Sequence, residues 1–165
     1  MRGNFSPGAL FGERPAGGVV YNLDMQARFV IHEHHATRLH FDLRLEVDGV
    51  LRSWAVPKGP SLDPADKRLA VAVPDHSLSY IGFEGRISEG SYGAGEVRVW
   101  DKGIYETDGD PGRELGKGKL TFTFHGKKLR GGFTLVKMAR QAKNWLLIKT
   151  DDEFADPDWK IRTIL

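Results

Sequence analysis

Between Leu39 and Val47 apolar and polar residues alternate without a break. Leu39, Phe41, Leu43, Leu45 and Val47 fall on one side of a strand; His40, Asp42, Arg44 and Glu46 fall on the other. Just upstream, "ARFVIHE" carries a strand pattern of its own, and the short "HATR" segment reads as a bend between the two. Asp48-Gly49 supplies the positive-φ positions of a tight hairpin turn, and "VLRSWAVP" returns as the partner strand. The loop "KGPSLDPADK" leads into the strand "RLAVAVP".

The stretch from Asp75 to Gly95 is Gly-rich with only short strand-like pieces, a length of loop that is usually functional or mobile. "GEVRVWD" alternates again, and Lys102-Gly103 is expected to turn the chain into "IYET". "DGDPGRELGKG" reads as a polar loop. The strands "KLTFTFHG", "GGFTLVKM" and "WLLIKT" follow, and "DDEFADPDWKIRTIL" is expected to hold a short helix and a tail. Little of the chain has a 3.6-residue period. The expected fold is therefore mostly β, a compact single-domain β-barrel with few short helices. Residues 1–26, rich in Gly and Pro, read as a loosely ordered arm, residues 27–156 as the barrel domain, and residues 157–165 as a tail.

Composition narrows the chemistry. A chain of 165 residues suits one domain, and with 40% hydrophobic and 28% charged residues it has a soluble globular balance. No apolar run is long enough to span a bilayer, so no membrane role and a cytoplasmic location are expected. Cysteine is absent, which excludes disulfides, thiolate nucleophiles and Cys-based metal sites. The net charge of +2 is too small to coat nucleic acid, so any such binding must use a local patch.

Four of the six histidines lie between His32 and His40. On a strand, His40 and Asp42 share a side, about 6–7 Å apart at the backbone, and Arg44 continues the row. The bend could fold His34 back toward His40. Two imidazoles and one carboxylate form a three-point ligand set that leaves positions open, as catalytic metal sites do. An arginine beside them suits phosphate. The same pattern also describes the wet face of an ordinary amphipathic strand, and both readings stand at this point. His32 shares the parity of His34, whereas His35 has the opposite parity and reads as a turn residue. His76 is a candidate acid or phosphate grip at the mouth of the long loop. Lys58 and Arg68 bracket the "KGPSLDPADK" loop and could add charge over a phosphate. His125 sits at a strand end beside Gly126. "GSYGAGE" lacks the Lys-Ser/Thr of a phosphate-binding P-loop. Trp54, Trp100 and Trp145 fall in strand patterns and are expected in the core.

The segments "HATRLHFDLRLE", "SWAVPKGPS", "DHSLSYIGFEG" and "YGAGEVRVWD", followed in order by "GKLTFTFHGKKLRGGFTLVKM" and "NWLLIKTDDEFAD", resemble the 3′-phosphoesterase domain of bacterial ATP-dependent DNA ligase D and its stand-alone relatives. The resemblance runs from about Arg28 to Asp156. It implies a β-barrel enzyme that uses Mn²⁺, with Zn²⁺, Co²⁺ or Fe²⁺ also suited to the ligands. Such an enzyme removes a 3′-terminal ribonucleoside from DNA and then the 3′-phosphate, leaving a 3′-hydroxyl for repair by non-homologous end joining. It places metal ligands at His34, His40 and Asp42 and catalytic or phosphate-contacting residues at Arg44, Arg68 and His76, with Lys58 a lesser member; Tyr80 fits the pattern without a role.

Where many relatives carry Gln, this chain has His32, able to donate to phosphate or to join the metal. The relatives' N-terminal arm carries an Arg, an Asp and a Glu that Glu13, Arg14 and Asp24 do not clearly match, which leaves room for only one of the two steps. The implied partners are DNA 3′ ends and a ligase, a polymerase or Ku acting in trans on a monomer at the nucleoid. With neither Cys nor a base-paired Ser or Thr in view, attack by water without a covalent intermediate is expected. Two rival readings remain: an Fe(II)/2-oxoglutarate oxygenase built on His40, Asp42 and His125, and a non-catalytic DNA-end-binding module.

Overall fold

A computed structural model describes residues 27–91 and 93–165. The expected arm, with Glu13, Arg14 and Asp24, lies outside the described residues. The elements are β1 (Arg28–His35), β2 (Leu39–Val47), β3 (Val50–Val56), β4 (Lys67–Ser77), β5 (Gly85–Ile87), β6 (Gly95–Glu106), α1 (Pro111–Gly116), β7 (Lys119–His125), β8 (Arg130–Lys137) and β9 (Asn144–Lys149). Eight strands close an antiparallel barrel in the order β1-β2-β3-β4-β9-β8-β7-β6, with β6 returning to β1 and β5 added to the start of β6. Closure leaves no unpaired barrel edge. No helix among the described residues is long and apolar enough to cross a membrane.

The alternation in β2 sets what faces what. Phe41, Leu43, Leu45 and Val47 join Phe29, Ile31, Trp54, Phe124, Phe133 and Leu147 in one buried cluster. Trp54, Trp100 and Trp145 lie in that cluster, as their positions in strand patterns suggested. Burying each large apolar side chain contributes about 1.5–3 kcal/mol before chain entropy is counted.

Several expectations are corrected. Lys102-Gly103 does not turn the chain; β6 runs through it, paired with β1 at Phe29↔Gly103 and with β7 from Ile104↔His125. The glycine is there for contact: a Cβ would collide with the His125 carbonyl and press on the Phe29 ring. The "DGDPGRELGKG" loop holds α1, capped by Asp110, which accepts from the Gly112 amide at 3.1 Å, with Pro111 in the first turn and Leu115 buried. β4 continues past Pro74 to Ser77, with a register shift opposite Leu51–Ser53.

The C-terminal segment forms turns in place of the expected helix. Asp152 accepts from the Gly132 and Phe154 amides, and Asp156 from the Asp158 amide, so side chains hold these turns. The tail packs on the barrel: Trp159 donates to the Pro60 carbonyl and Trp100 to that of Arg162. The buried Glu33 carboxylate receives the Ile164 and Leu165 amides.

Candidate metal and phosphate site

The polar side of β2 is not a wet face. Asp42 and Arg44 are 5% and 4% exposed, because a 3-10 turn at Leu78–Gly82 and the strand β5 flank this side of the sheet. The register assembles the site. The bend after His35 sets His34 opposite His40 and His32 opposite Asp42, and the Asp48-Gly49 hairpin sets Arg44 opposite Ser53. His34, His40, Asp42, Arg44, His76 and Tyr80 line a cleft of about 250 Å³.

His34, His40 and Asp42 bring ligand atoms within 4.8 Å of one another. His34 Nδ1 lies 3.2 Å from Asp42 Oδ2 and His40 Nε2 lies 3.1 Å from Asp42 Oδ1. Two donors each about 2.1 Å from a shared ion stand roughly 3 Å apart, so the spacing fits. The outer nitrogens are also accounted for. His34 Nε2 meets the Gly93 carbonyl at 2.7 Å, and His40 Nδ1 meets that of Arg38 at 3.2 Å. A neutral imidazole that donates outward offers a lone pair inward, the state a metal ligand needs. Inward lone pairs facing a carboxylate need a cation between them, a proton or a metal ion. The donor set therefore fits a divalent ion held by His34 Nδ1, His40 Nε2 and Asp42.

Electrostatics agree. Burial opposes the Asp42 carboxylate, but hydrogen bonds from His34 and His40 and the charge of Arg44 hold it well below the usual carboxylate range. Burial also opposes charge on His40, yet the bond and attraction of Asp42 raise its pKa.

Arg44 is a buried cation with its donors spoken for. Nε donates to His32 Nδ1 (3.1 Å), Nη1 to Ser53 Oγ (2.9 Å), Nη2 to Asp42 (3.3 Å), and the guanidinium stands 5.0 Å from the centre of the Tyr80 ring. Nη1 also lies 3.1 Å from His76 Nδ1, which is 3.2 Å from the Pro74 carbonyl. One nitrogen cannot accept from Arg44 and donate to Pro74 at once. Accepting from the always-charged arginine puts the His76 proton on Nε2, which has no protein partner among the described residues. Burial, and next the charge of Arg44, lower the pKa of His76.

His32 stands behind Arg44. Its Nε2 donates to the Phe83 carbonyl at 3.1 Å, so both ring nitrogens are used within the protein. Burial pushes its pKa down to about 4, reinforced by Arg44. It is outside the three-ligand group and does not line the cleft. His35 ends β1 rather than sitting in a turn, and bonds to Glu33 at 2.6 Å. Lys58 is exposed in the turn after β3 and Arg68 pairs Asp66 at 3.5 Å with Nε buried and unpartnered; neither lines the cleft. His125, at the end of β7, pairs with Glu106 of β6, apart from the His40–Asp42 group that the oxygenase reading needs it to join.

Sequence reasoning passed over Ser53 and the carbonyls of Gly93, Arg38 and Phe83, and gave Tyr80 no role. Tyr80 stacks on Phe83 at 4.7 Å and packs against His32 and His76. Ser53 could have been found: a turn at 48–49 fixes β2–β3 pairs that sum to 97, which places Ser53 opposite Arg44. Backbone carbonyls leave no such trace in a residue pattern.

A family model described as the DNA Ligase D 3′-phosphoesterase domain matches residues 32–137. The chain is 52% identical over 127 residues to the "Multifunctional non-homologous end joining protein LigD" of Pseudomonas aeruginosa, covering 76% of this chain and 15% of that protein. It is 46% identical over 134 residues to the protein of the same description from Mycolicibacterium smegmatis, covering 76% and 17%. It is also 46% identical over 112 residues to the "Multifunctional non-homologous end joining DNA repair protein LigD" of Mycobacterium tuberculosis, covering 66% and 14%. The chain thus spans about a sixth of the length of these relatives.

Proposed function

As the chain belongs to the DNA ligase D 3′-phosphoesterase domain family, we propose that it is a metal-dependent hydrolase of phosphate esters at DNA 3′ ends. Its activity would be to cleave the phosphodiester of a 3′-terminal ribonucleoside and then the 3′-phosphate, leaving a hydroxyl for end joining. The observation that carries the reading is the meeting, in one cleft, of a His34–His40–Asp42 ligand set with a buried, fully oriented arginine. The ion is proposed to be Mn²⁺, with Zn²⁺, Co²⁺ or Fe²⁺ compatible with the same donors.

When bound, such an ion supplies Lewis acidity toward a phosphate oxygen and lowers the pKa of a coordinated water. The chain's own residues do the rest. His34, His40 and Asp42 would hold the ion. Arg44, kept in place by His32, Ser53 and Asp42, sets a fixed positive charge beside the phosphate as negative charge develops. His76 turns its free Nε2–H to a phosphate or leaving-group oxygen. Lys58 and Arg68, from the ends of β3 and β4, are proposed to reach the phosphate only with DNA in place. A ligase, a polymerase or Ku would act on the healed end in trans.

The test is a recessed primer–template bearing one 3′-terminal ribonucleotide, incubated with each metal and with chelator, its products resolved as 3′-phosphate and 3′-hydroxyl. The proposal expects metal-dependent products that disappear in His40→Ala and Asp42→Ala along with bound metal. Binding of ends with no product under any metal would favour the end-binding module and sink the hydrolase.

A further inference from the structure

The small net charge requires any nucleic-acid contact to be local. A second groove, of about 650 Å³, lies on the same outer face of the sheet as the cleft. The register fixes that relation: Arg44 pairs with Val30, and Val30 pairs with Lys102 of β6. Lys102 therefore stands in the cross-strand row of Arg44, two strands away, about 10 Å at the backbone. The 3-10 turn joins the two spaces, since Tyr80 lines the cleft while Ile81 and Gly82 line the groove.

The groove is lined by four cations, Arg28, Lys102, Lys127 and Lys128. Arg28 is neutralised by Glu46, which it meets at 2.9 Å. Lys128 donates to the Trp100 carbonyl at 2.6 Å and covers its ring. Lys102 and Lys127 are exposed and have no carboxylate at ion-pairing distance among the described residues. The one acid in the lining, Asp101, is buried and spends both oxygens on the backbone amides of Lys102, Lys127, Lys128 and Leu129. The three bonds from Lys127, Lys128 and Leu129 pin the turn after β7, so its lysines are presented from a rigid base. The apolar floor between them, from the half-buried Ile81, Val99 and Ile104, suits the faces of sugars.

We propose that this groove binds the sugar–phosphate backbone of DNA whose 3′ end lies in the cleft, with Lys102 and Lys127 each neutralising a phosphate. The inference rests on the proposed function for the identity of the strand end. The occupant is chosen by charge and by continuity with the cleft. An acidic peptide would be recognised by the same charge, and the test separates it.

The experiment measures binding of a fluorescent primer–template in chelator across a salt series, for wild type, Lys102→Ala/Lys127→Ala, and Lys117→Ala/Lys119→Ala. The last pair is exposed and lines another surface. Expected is a Kd about tenfold higher for the groove variant, with a salt slope lower by about two, and no such change in the control pair. Turnover of bis(p-nitrophenyl) phosphate with metal should stay at the wild-type rate. An unchanged DNA Kd and slope would overturn the proposal, leaving the groove to a protein partner or to solvent. An equal loss in the control pair, or in small-ester turnover, would overturn it too. Because binding is read without metal, a wild type that holds DNA through these lysines yet trims no 3′ end would support the groove and overturn the proposed activity.

Discussion

Arg44 donates from Nε to Nδ1 of His32 at 3.1 Å, and that one bond fixes what His32 is. An imidazole that accepts from arginine on one nitrogen and donates to the Phe83 carbonyl with the other is neutral and fully used. Its place in the site is to aim the guanidinium. A primary amide can reproduce both bonds, with its oxygen accepting from Arg44 and its nitrogen donating to Phe83. His32→Gln should therefore keep kcat within about threefold of wild type. His32→Leu strands a buried charged N–H, a loss of about 1–3 kcal/mol that appears as a fall in kcat of roughly ten- to a hundredfold. Metal content should be unchanged in both. Equal damage from Gln and Leu, read by steady-state kinetics, would give His32 a role that needs an imidazole.

Much of this was legible in the sequence, and physics says which part. The eight barrel strands were visible because a barrel wall alternates inward and outward along every strand. The facing of His40, Asp42 and Arg44 followed from the same period. That the outer side of β2 is buried could not be read, because the covering comes from residues 78–87, forty positions away and without a strong period of its own. Gly103 misled because its reason is a neighbouring carbonyl in β7, not a turn. The C-terminal residues look like a tail because their anchors are distant side chains, Glu33 and Trp100.

His32 also sets a pH dependence of folding in the metal-free protein. Its folded pKa is lowered to about 4 by burial first and by Arg44 next, against 6.5 when unfolded. Below pH 6.5 the unfolded chain takes up a proton that the folded protein refuses until about pH 4. The stability tied to this group is thus complete above pH 6.5 and lost as pH falls toward 4, by roughly 3 kcal/mol at most. In chelator, the wild type should lose urea stability over that window, and His32→Gln should show a shallower acid limb. Parallel acid limbs would assign the loss elsewhere.

Protons and the metal compete for the same atoms. Asp42 raises the pKa of His40 against the cost of burial, so the metal-free site keeps a proton on His40 at higher pH than a free imidazole would. Binding must expel it. Metal affinity should fall as pH drops through that raised pKa, approaching tenfold per pH unit for each proton displaced. Calorimetry in buffers of different ionisation enthalpy counts the protons. The expected count is near one just below that pKa and zero well above it. No proton release at any pH would mean that His40 is not a ligand.

Gly103 offers a test of the fold apart from the site. A methyl group there meets the His125 carbonyl and the Phe29 ring. Gly103→Ala should cost about 1–3 kcal/mol, since backbone on one side and core on the other leave little room to yield. The Lys102 neighbour remains, and the His34–His40–Asp42 set lies at the other end of the β1–β6 pairing. Chemical denaturation should register the loss while metal affinity in the folded protein stays at the wild-type value. A variant as stable as wild type would show that β6 can move away from β7.

His76 can act as a grip or as an acid, and leaving groups separate the two. Its lowered pKa, from burial first and Arg44 next, keeps the imidazole neutral at pH 7. A neutral ring with its proton on Nε2 donates a hydrogen bond well and gives up a proton poorly. The expectation is that His76→Ala slows the reaction by roughly ten- to a hundredfold at every pH, leaving the pH–rate profile parallel to wild type. The loss should be similar for a p-nitrophenyl ester and for an alkyl or nucleoside ester, because a grip on a non-bridging oxygen is indifferent to the leaving group. A loss confined to the alkoxide leaving groups, together with disappearance of the alkaline limb, would identify His76 as the proton donor.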